Sequence, residues 1–554
     1  MLLKLPVEIL LEIIQCLPFT SLRTLPSLSK SWATFMGTNE PSIYHDISRQ
    51  YGYANPDTAP PSEGWKAWFM HKLHVELRWM GKIPGNSYRF ELPGEPRSVY
   101  KIKVDEEAGY VINTFTGGGL TVSDIHNHRI LWALDKEYCE PLSRCEYDKG
   151  YIVFSRRSDG FKEVWRRRAD VLGIPEDAWP SELDNKPDEH MLKARLVVED
   201  LYLDDSRMGD LEHLRGQFIP WARLLIPEDI DDGHTFKLNR GTLLAFNAEK
   251  VFLYDIEKAE LQQTVEVTPV GNVRYVDVSE QHVFILSPMQ LSVYDRVSGL
   301  HVLSIPSGRL PWDFYASPEN QWRRTEETFN HGELGFRRAV PQTWAHREDY
   351  FDAVHVSSCG KHLAIMAMSN RVIIIQDFWR LVGPSKIMLK QIAKQIDFYV
   401  QRPSLPTETE TCLAYDCGKV AIFGALGIYV LVLDSILDQL GDIDLPSKDP
   451  SLRNLMRPSE HEQSWPNLRL RKVIFYDLQV SRGDILSCLQ LSKTKLYLSV
   501  ISVDPLNERS DNMWCYDFAS PPRFTPAKAP WEWGGYYARD LSVYPHPGPY
   551  AFDT

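Results

Sequence analysis

The chain lacks the excess of basic residues that would favour a nucleic-acid partner. Its 554 residues include 61 Lys and Arg against 74 Asp and Glu, which gives a formal net charge of −13. Domains that bind nucleic acid usually carry a basic face. The densest basic groups, at residues 156–157 and 166–168, are short and suit solvated strand and loop edges. We therefore predict no nucleic-acid partner.

Segments that would export the chain or place it in a membrane are also missing. Lys4, Glu8 and Glu12 interrupt the N-terminal apolar stretch, which excludes the uncharged core of a secretory signal. The apolar run at residues 421–433 is too short to cross a bilayer, and its glycines and β-branched residues predict two buried strands. We expect no membrane partner and a location in the cytoplasm, the nucleus or both.

Cysteine motifs and metal-ligand spacings are scarce. The 8 cysteines are scattered without a CxxC motif, so we expect reduced thiols. Two close histidine pairs lack a Cys or carboxylate at ligand spacing. The sequence predicts no metal, no cofactor and no catalytic residue, although a catalytic triad dispersed along the chain would be invisible at this level. The histidine pairs are His71 with His74 and His126 with His128.

An apolar helical module occupies the first 32 residues. Pro6 and Glu8 suit the start of a helix, Pro18 is expected to stop it, and Thr20 or Ser21 can cap the next helix. Such a short segment cannot bury its large side chains against itself, so we expect it to pack on another protein. The apolar residues that recur at helical spacing include Ile9, Leu10, Ile13, Ile14, Leu17, Leu22, Leu25, Leu28 and Trp32.

Residues 5–32 resemble the F-box, the motif by which substrate receptors dock on the Skp adaptor of Skp–cullin–F-box ubiquitin ligases. This sequence departs from the family at Ser21, often acidic elsewhere, and at Pro26, where we predict a break between two short helices. The alternative is an N-terminal helical hairpin packed on the rest of the chain. The resemblance implies that the adaptor contacts Leu5, Pro6, Glu8, Ile9, Ile13, Leu17, Leu22, Leu25 and Trp32, and that a cullin and a RING subunit follow through the adaptor.

We divide the chain into an F-box at residues 1–40, a linker at 41–85 and a β-propeller at 86–554. The linker contains an amphipathic helix with Trp65, Phe69 and Leu73 on one side. It resembles the linker helix of F-box/WD-repeat proteins, in which a Trp-Lys pair (here Trp65-Lys66) starts the helix and a Trp (here Trp79) lies near its end. A helix packed on any neighbouring domain is the alternative, and both interpretations predict a fixed connection.

From about residue 86 a triplet of short strands repeats seven times. Tyr110 and Tyr151 are 41 residues apart, and Thr242 and His282 are 40 apart, which matches a four-stranded propeller blade. The repeat resembles a WD-repeat-like or quinoprotein-like propeller, although the Trp-Asp and Gly-His pairs do not recur with it. The predicted fold class is a small all-α F-box with a linker helix, followed by an all-β propeller of seven blades, with six or eight as alternatives. Turns after the third strand are predicted at Asp124, Asp255, Asp295, Asp377 and Asp434.

A propeller must also close its ring, because an open edge strand would pair with other chains. Residues 88–92 alternate apolar and charged side chains, and we predict that they complete the last blade beside the C-terminal strands. We place the seventh triplet at residues 473–478, 485–489 and 495–501.

Three inserts interrupt the repeat, at residues 170–232, 306–350 and 436–470. Loops on a rigid scaffold often carry binding residues, and the second insert concentrates aromatic residues and arginines, which dominate interface hot spots. Arginine can also clasp an acidic or phosphorylated segment. In the alternative, the aromatics cap the propeller and the arginines are solvated or pair with nearby glutamates. The predicted target-binding residues are Trp312, Trp322, Arg323, Arg324, Arg337 and Arg338.

The sequence thus predicts a non-catalytic substrate receptor of a Skp–cullin–F-box ubiquitin ligase, with an unknown protein as its target. One alternative is a propeller enzyme or cofactor-binding protein, such as a quinone-dependent dehydrogenase, for which calcium ligands or vicinal cysteines are not visible. The other alternative keeps the adaptor but has no role in a ligase, and makes the chain a scaffold.

Overall fold

The computed structural model describes residues 5–520 with gaps. Short breaks of one to six residues interrupt it at several turns. The longer gaps are at residues 175–184, 203–213, 225–235, 308–314, 317–335, 338–349, 398–412, 433–468, 474–484 and 502–511.

The N-terminal part is helical up to the end of the linker helix. Amphipathic segments of this length gain most of their stability from packing, and the inward faces of these helices meet in one apolar cluster that includes Ile14, Phe19, Met36 and Phe69. The helices are α1 (Val7–Gln15), α2 (Phe19–Leu28), α3 (Lys30–Thr38), α4 (Glu40–Gln50) and α5 (Trp65–Trp79).

The second helix differs from the prediction at both ends. It contains Thr20 and Ser21, so neither residue caps it, and it continues through Pro26 to Leu28. The predicted break at Pro26 is wrong, because a proline this close to the end of a helix disturbs only its last turn. The chain changes direction at Ser29 instead, where the hydroxyl accepts the Trp32 N–H at 3.2 Å and caps α3.

Seven sheets follow the helices, and each contains four antiparallel strands, to which one sheet adds two short strands; this confirms the predicted fold class. Blades 1 to 4 consist of consecutive strands. Blade 1 contains β2 (Val99–Asp105), β3 (Tyr110–Phe115), β4 (Leu120–Asp124) and β5 (Ile130–Leu134); blade 2 contains β6 (Cys145–Asp148), β7 (Tyr151–Ser155), β8 (Lys162–Arg167) and β9 (Phe218–Leu224); blade 3 contains β10 (Phe236–Asn239), β11 (Thr242–Asn247), β12 (Lys250–Asp255) and β13 (Glu260–Glu266); blade 4 contains β14 (Tyr275–Val278), β15 (His282–Leu286), β16 (Gln290–Asp295) and β17 (His301–Pro306).

Of the last three blades, blades 5 and 7 depart from this simple order, and blade 6 keeps it. Blade 5 gains two short outer strands from the preceding insert, and blade 7 takes its outer strand from the start of the domain. Blade 5 contains β20 (Phe351–Val356), β21 (Leu363–Ala367), β22 (Arg371–Ile375) and β23 (Ala393–Asp397), extended by β18 (Tyr315–Ala316) and β19 (Phe336–Arg337); blade 6 contains β24 (Leu413–Asp416), β25 (Lys419–Gly424), β26 (Gly427–Val432) and β27 (Arg469–Val473); blade 7 contains β28 (Ile485–Leu491), β29 (Lys495–Ile501), β30 (Asn512–Asp517) and β1 (Asn86–Phe90).

The first strand of each blade lines a central channel. These strands contact one another in circular order, from β2 of blade 1 round to β28 of blade 7 and back to β2. The apolar side chains between neighbouring blades form the cores that hold the ring together, which include Ile102, Tyr497 and Met513 between blades 1 and 7.

Strand β1 closes the ring as predicted. It pairs antiparallel with β30, with Tyr88 opposite Cys515 and Phe90 opposite Met513. The predicted seventh triplet is confirmed for residues 485–489 and 495–501, which lie in β28 and β29 of blade 7. Its first strand was wrong, because Val473 ends β27 of blade 6, and residues 474–478 lie outside the described part of the chain. Strand β28 is consequently the innermost strand of blade 7.

Aspartates start the turns after three third strands, as the sequence predicts. The Asp124 carboxylate accepts the backbone N–H groups of His126 and Asn127 at 2.7 and 3.0 Å, and Asp255 and Asp295 bind the same way. Asp377 instead has a positive φ of 51°, and Asp434 lies outside the described residues.

Three further α-helices lie in the described residues outside the N-terminal part. Helix α6 (Glu189–Tyr202) lies in the first insert and packs on β5 and β9, the outer strands of blades 1 and 2. The predicted first insert, residues 170–232, also contains β9 itself. Helix α7 (Trp379–Val382) and a short helix α8 (Leu389–Ile392) connect β22 to β23.

Candidate functional site

Helix α1 carries apolar side chains on two sides, and only one side is covered. Leu10 is 2% exposed and packs inward. Leu5, Val7, Ile9 and Ile13 are 38–45% exposed, although side chains of this size usually lie inside a protein. These four residues, each only partly covered by the chain, make up what we call the N-terminal apolar surface.

The predicted adaptor-contact residues divide into three groups. Leu22 is 5% exposed and packs inside the helical cluster in the chain alone. Val7, which the prediction did not include, lies at the start of α1, on the side of Leu10 and Ile14, and is 45% exposed. Leu5, Pro6, Glu8, Ile9 and Ile13 are exposed, whereas Leu17, Leu25 and Trp32 are partly buried.

The covered side of α1 is held by the later helices. Gln15 donates a hydrogen bond to the Asp46 carboxylate of α4 at 2.7 Å. Phe19, at the start of α2, packs on Phe69 of α5 with 5.1 Å between ring centroids. These contacts fix the orientation of the N-terminal apolar surface relative to α5.

Helix α5 belongs to two apolar cores at once. Phe69, Leu73 and Leu77 recur every four residues and pack among the N-terminal helices. Val75 and Trp79 lie on the other side of the helix and pack in the core between blades 5, 6 and 7. Because one rigid helix enters both cores, it connects the helical part to the propeller without a flexible joint, as the sequence predicts.

Polar contacts strengthen the propeller side of α5. The Arg78 guanidinium donates to the backbone carbonyls of Phe518 and Ala519 at 3.2 and 2.9 Å. The Trp79 indole N–H donates to the Lys493 carbonyl at 3.3 Å, and Glu76 pairs with the Lys419 ammonium at 3.4 Å. Arg78 is largely buried, and its hydrogen bonds to carbonyls satisfy a charge that would otherwise be costly to bury.

These contacts all lie on one face of the propeller. Lys493 is in the turn from the first to the second strand of blade 7, and Lys419 follows the equivalent turn in blade 6. In an antiparallel blade, the turns after the first and third strands share one face. We call it the proximal face, since α5 lies on it, and the opposite one the distal face.

The predicted inserts fall on both faces. Residues 168–217 of blade 2 and 433–468 of blade 6 connect the third strand to the fourth, so the ends of these connections lie on the proximal face. The predicted first insert continues through β9, and its last residues connect blade 2 to blade 3 on the distal face. Residues 306–350 connect blade 4 to blade 5, and their ends lie on the distal face. Phe351 anchors the return by donating its N–H to the Pro288 carbonyl at 2.8 Å.

Most of the predicted target-binding residues lie outside the described part of the chain. Only Arg337 has a described backbone, in β19, where it pairs with Tyr315 of β18. Strand β18 in turn pairs in parallel with β23 at the outer edge of blade 5. Trp312, Trp322, Arg323, Arg324 and Arg338 are among the residues for which no placement is described.

A buried carboxylate joins blades 1 and 2 to helix α6. Glu163 accepts hydrogen bonds from Tyr138, Trp165 and Arg156, and the Arg156 guanidinium also pairs with Asp188, which precedes α6. Burial raises the pKa of Glu163 to about 7. The Glu163 side chain is 0% exposed. Through Arg156 and Asp188 the network connects the first insert to blade 2.

A buried amine lies beside this network. Lys162 donates to the Ser155 hydroxyl at 2.6 Å, and burial lowers the pKa of Lys162 to about 8. The residue types match those of a serine–lysine hydrolase, but both side chains are buried between strands β7 and β8 and cannot meet a substrate.

Two general findings apply to the described residues. No helix among them is long and apolar enough to cross a membrane. Their His, Cys, Asp and Glu side chains form no group of three that could hold a metal ion.

Comparison with known proteins agrees with this organisation at the N-terminus. Residues 2–41 match the model of the F-box domain, and a search of curated proteins found no match. Similar solved structures include the structure of U3-55K, at 10% identity, and the crystal structure of the RRP9 WD40 repeats, at 9% identity; each has a TM-score of 0.41 and covers 78% of this chain and 98% of its own. The F-box match and the seven sheets described above give the chain an F-box domain followed by a seven-bladed β-propeller.

Proposed function

We propose that the chain is the substrate-recognition subunit of a Skp–cullin–F-box ubiquitin ligase and works in the cytoplasm or the nucleus. The observation that carries the proposal is the N-terminal apolar surface of the F-box domain, which is exposed in the chain alone. F-box domains generally bind Skp adaptors, and a large apolar patch on a soluble protein usually marks an interface.

The size of this surface fits an interface that needs further contacts. Burying a large apolar side chain fully contributes about 1.5–3 kcal/mol, so four side chains that are two-fifths exposed offer roughly 2.5–5 kcal/mol. Association itself costs more than that. The adaptor is therefore expected to contact the exposed parts of Leu17, Leu25 and Trp32 as well, and to make polar contacts near Glu8.

The connection through α5 supports a role in positioning. A receptor accelerates ubiquitin transfer by keeping a target close to the charged conjugating enzyme, which raises the effective concentration of the target lysine. A rigid helix that enters both cores keeps the propeller at a fixed distance and angle from the adaptor. No bond chemistry by the chain itself is needed in this proposal.

Substituting two residues of the N-terminal apolar surface tests adaptor binding. We expect Ile9→Asp with Ile13→Asp to weaken capture of a purified Skp adaptor by at least about tenfold, since two charges would enter an apolar contact. The matched control is Val297→Asp with Leu300→Asp, which charges two strongly exposed apolar side chains of blade 4. Equal adaptor binding by both double variants and the unchanged chain would refute the proposal.

Participation in a ligase needs a separate measurement. Cullin and RING subunits should co-purify with the full chain and be lost with the Ile9 and Ile13 double variant, together with ubiquitylated target. Adaptor binding without a cullin would instead indicate a scaffold.

The target site is proposed on the insert at residues 306–350, whose ends lie on the distal face. Reversing the charge of Arg323, Arg324, Arg337 and Arg338 to Glu should remove specific proteins from the captured set and leave the adaptor in place. An unchanged set of captured proteins would exclude this insert as the receptor surface.

A further inference from the structure

The central channel contains an ion-pair triad that spans three blades. The Glu146 carboxylate of blade 2 lies 2.9 Å from the Lys103 ammonium of blade 1 and 3.5 Å from the Lys237 ammonium of blade 3. Burial opposes ionisation of Glu146, but the two lysines together lower its pKa. Two positive charges thus share one negative charge inside a chain whose net charge is −13.

The triad is accessible to small molecules. The side chains of Lys103, Lys237 and Glu146 keep 16%, 14% and 11% of their surface exposed, although they lie on the innermost strands. Water therefore reaches the triad through the channel. A further carboxyl group that acts on Lys237 is that of Asp277. Its oxygens already accept the N–H groups of Val278 and Val356, and burial raises its pKa.

A histidine with an unused nitrogen lies within the electric field of the same lysines. His355 of blade 5 packs on the Tyr275 ring of blade 4 at 5.1 Å between centroids. Burial first, and then the charges of Lys237, Lys103 and Lys101, lower the pKa of His355 well below its usual value, so the ring is neutral. The ring is hydrogen-bonded to the Leu413 backbone, and its Nε2 is buried without a partner.

We propose that the channel binds a small oxyanion that carries a hydroxyl group, of which hydrogen phosphate is the simplest. The two lysines that share Glu146 supply the positive charge, and they are charge-assisted donors to the anionic oxygens. A neutral His355 whose Nδ1–H donates to the Leu413 backbone has an acceptor lone pair at Nε2. The hydroxyl of the anion donates to that lone pair.

This arrangement distinguishes anions of similar size. Sulfate near neutral pH has no hydroxyl and would leave the buried Nε2 unsatisfied, a cost of about 1–3 kcal/mol for a buried polar group. A phosphate ester on a protein side chain is mostly dianionic at pH 7 and also lacks the hydroxyl. Free hydrogen phosphate, rather than sulfate or a phosphorylated side chain, is therefore the favoured occupant.

Calorimetric titration of the full chain tests the site with three probes: inorganic phosphate, sulfate and O-phosphoserine. We expect phosphate to bind about tenfold more tightly than either of the others. His355→Phe should remove this preference, because the acceptor at Nε2 is lost. A preference for O-phosphoserine would overturn the free anion as the occupant, and absence of phosphate binding would overturn the site.

Two charge variants are expected to change the affinity for phosphate in opposite directions. A loss of folding could not explain both results. Lys237→Met should weaken phosphate binding, whereas Glu146→Gln should tighten it by removing the carboxylate that competes for the lysines. Lys495→Met is the matched control, since Lys495 is a similarly buried lysine paired with Asp517 in blade 7. Phosphate should also raise the melting temperature of the unchanged chain and of the Glu146 variant. A Glu146 variant that folds and binds phosphate more weakly would contradict the proposal, and adaptor binding should be unaffected in every variant.

Discussion

The indole ring of Trp79 stacks on the phenyl ring of Phe518, with 3.4 Å between centroids and 17° between planes. Trp79 ends the linker helix, and Phe518 follows the last described strand of the propeller. The two residues are far apart in sequence. Their contact packs the linker helix, which carries the F-box domain, against the core of the propeller.

Removing that ring should uncouple the two parts. We expect Trp79→Ala to destabilise the chain by about 3–5 kcal/mol, the usual cost of truncating a buried tryptophan. Calorimetry should then show separate melting of the helical part. Trp68→Ala is the control on the same helix, because Trp68 packs on Trp65 and Tyr53 instead of the propeller. If both variants melt in one transition of equal midpoint, Trp79 does not couple the parts.

Neighbouring residues of α1 should separate stability from binding. Leu10→Ala is expected to cost about 2–5 kcal/mol of stability, because Leu10 is buried. Ile9→Ala should change stability by only about 0.5 kcal/mol and should weaken adaptor binding. Urea unfolding and adaptor titration of both variants measure the two effects, and a large stability loss in the Ile9 variant would show that this side chain is not free for a partner.

Closure of the ring by β1 can be tested by deletion. Without residues 86–90, β30 would lose its antiparallel partner and become an open edge. We expect the melting temperature to fall by several degrees and the chain to aggregate. A synthetic peptide of residues 86–93 added in trans should restore part of the melting temperature by strand addition, and no effect of the deletion would mean that blade 7 is stable with three strands.

Lys162 should give the stability a pH dependence of known sign. Its pKa is about 8 in the folded chain against an ordinary 10.5, so between these values the unfolded chain holds more protons and unfolding becomes less favourable as pH rises. Lys162→Met removes the burial penalty, and its stability advantage should be largest below pH 8 and shrink by up to about 1.4 kcal/mol per pH unit above it.

Urea unfolding at pH 7, 8, 9 and 10 compares the two chains. Lys193→Met, on the exposed side of α6, is the control, and its difference from the unchanged chain should stay constant over the same range. A constant difference for Lys162→Met would show that the amine stays protonated in the fold.

The blade pattern was predictable because the second strands of several blades, such as β3, β7 and β15, are buried on both faces and bounded by turns. The aspartates after β4, β12 and β16 mark those turns through a local hydrogen bond, which sequence alone specifies. Blade 7 could not be assigned correctly, because its strands come from both ends of the domain. In addition, residues 473–478 are mostly apolar, as the first strand of a blade is. The pairing of β1 with β30 joins residues more than 400 positions apart, so no local sequence pattern predicts it.

The F-box surface was predictable only in part. Periodicity marks apolar residues on a helix but does not say which neighbour covers them, and α1 has apolar residues on both sides. Leu22 and Ile13 look equivalent in sequence, yet the packing of α4 and α5 buries only Leu22. The channel triad was missed altogether, since its three side chains come from three blades and share no spacing.

The sharing of α5 between two cores restricts how the chain can change its length. Each residue of a helix adds about 1.5 Å and turns the next side chain by about 100°. A single insertion between Leu73 and Val75 would rotate Phe69 and Leu73 by that angle relative to Val75 and Trp79, and it would also take Leu77 out of its position in the helical cluster. Two full turns, about seven residues, would instead lengthen the arm by about 10 Å with its orientation kept. The length of α5 therefore sets the distance between the F-box domain and the propeller, and this distance can change without a change of orientation only in steps of whole turns.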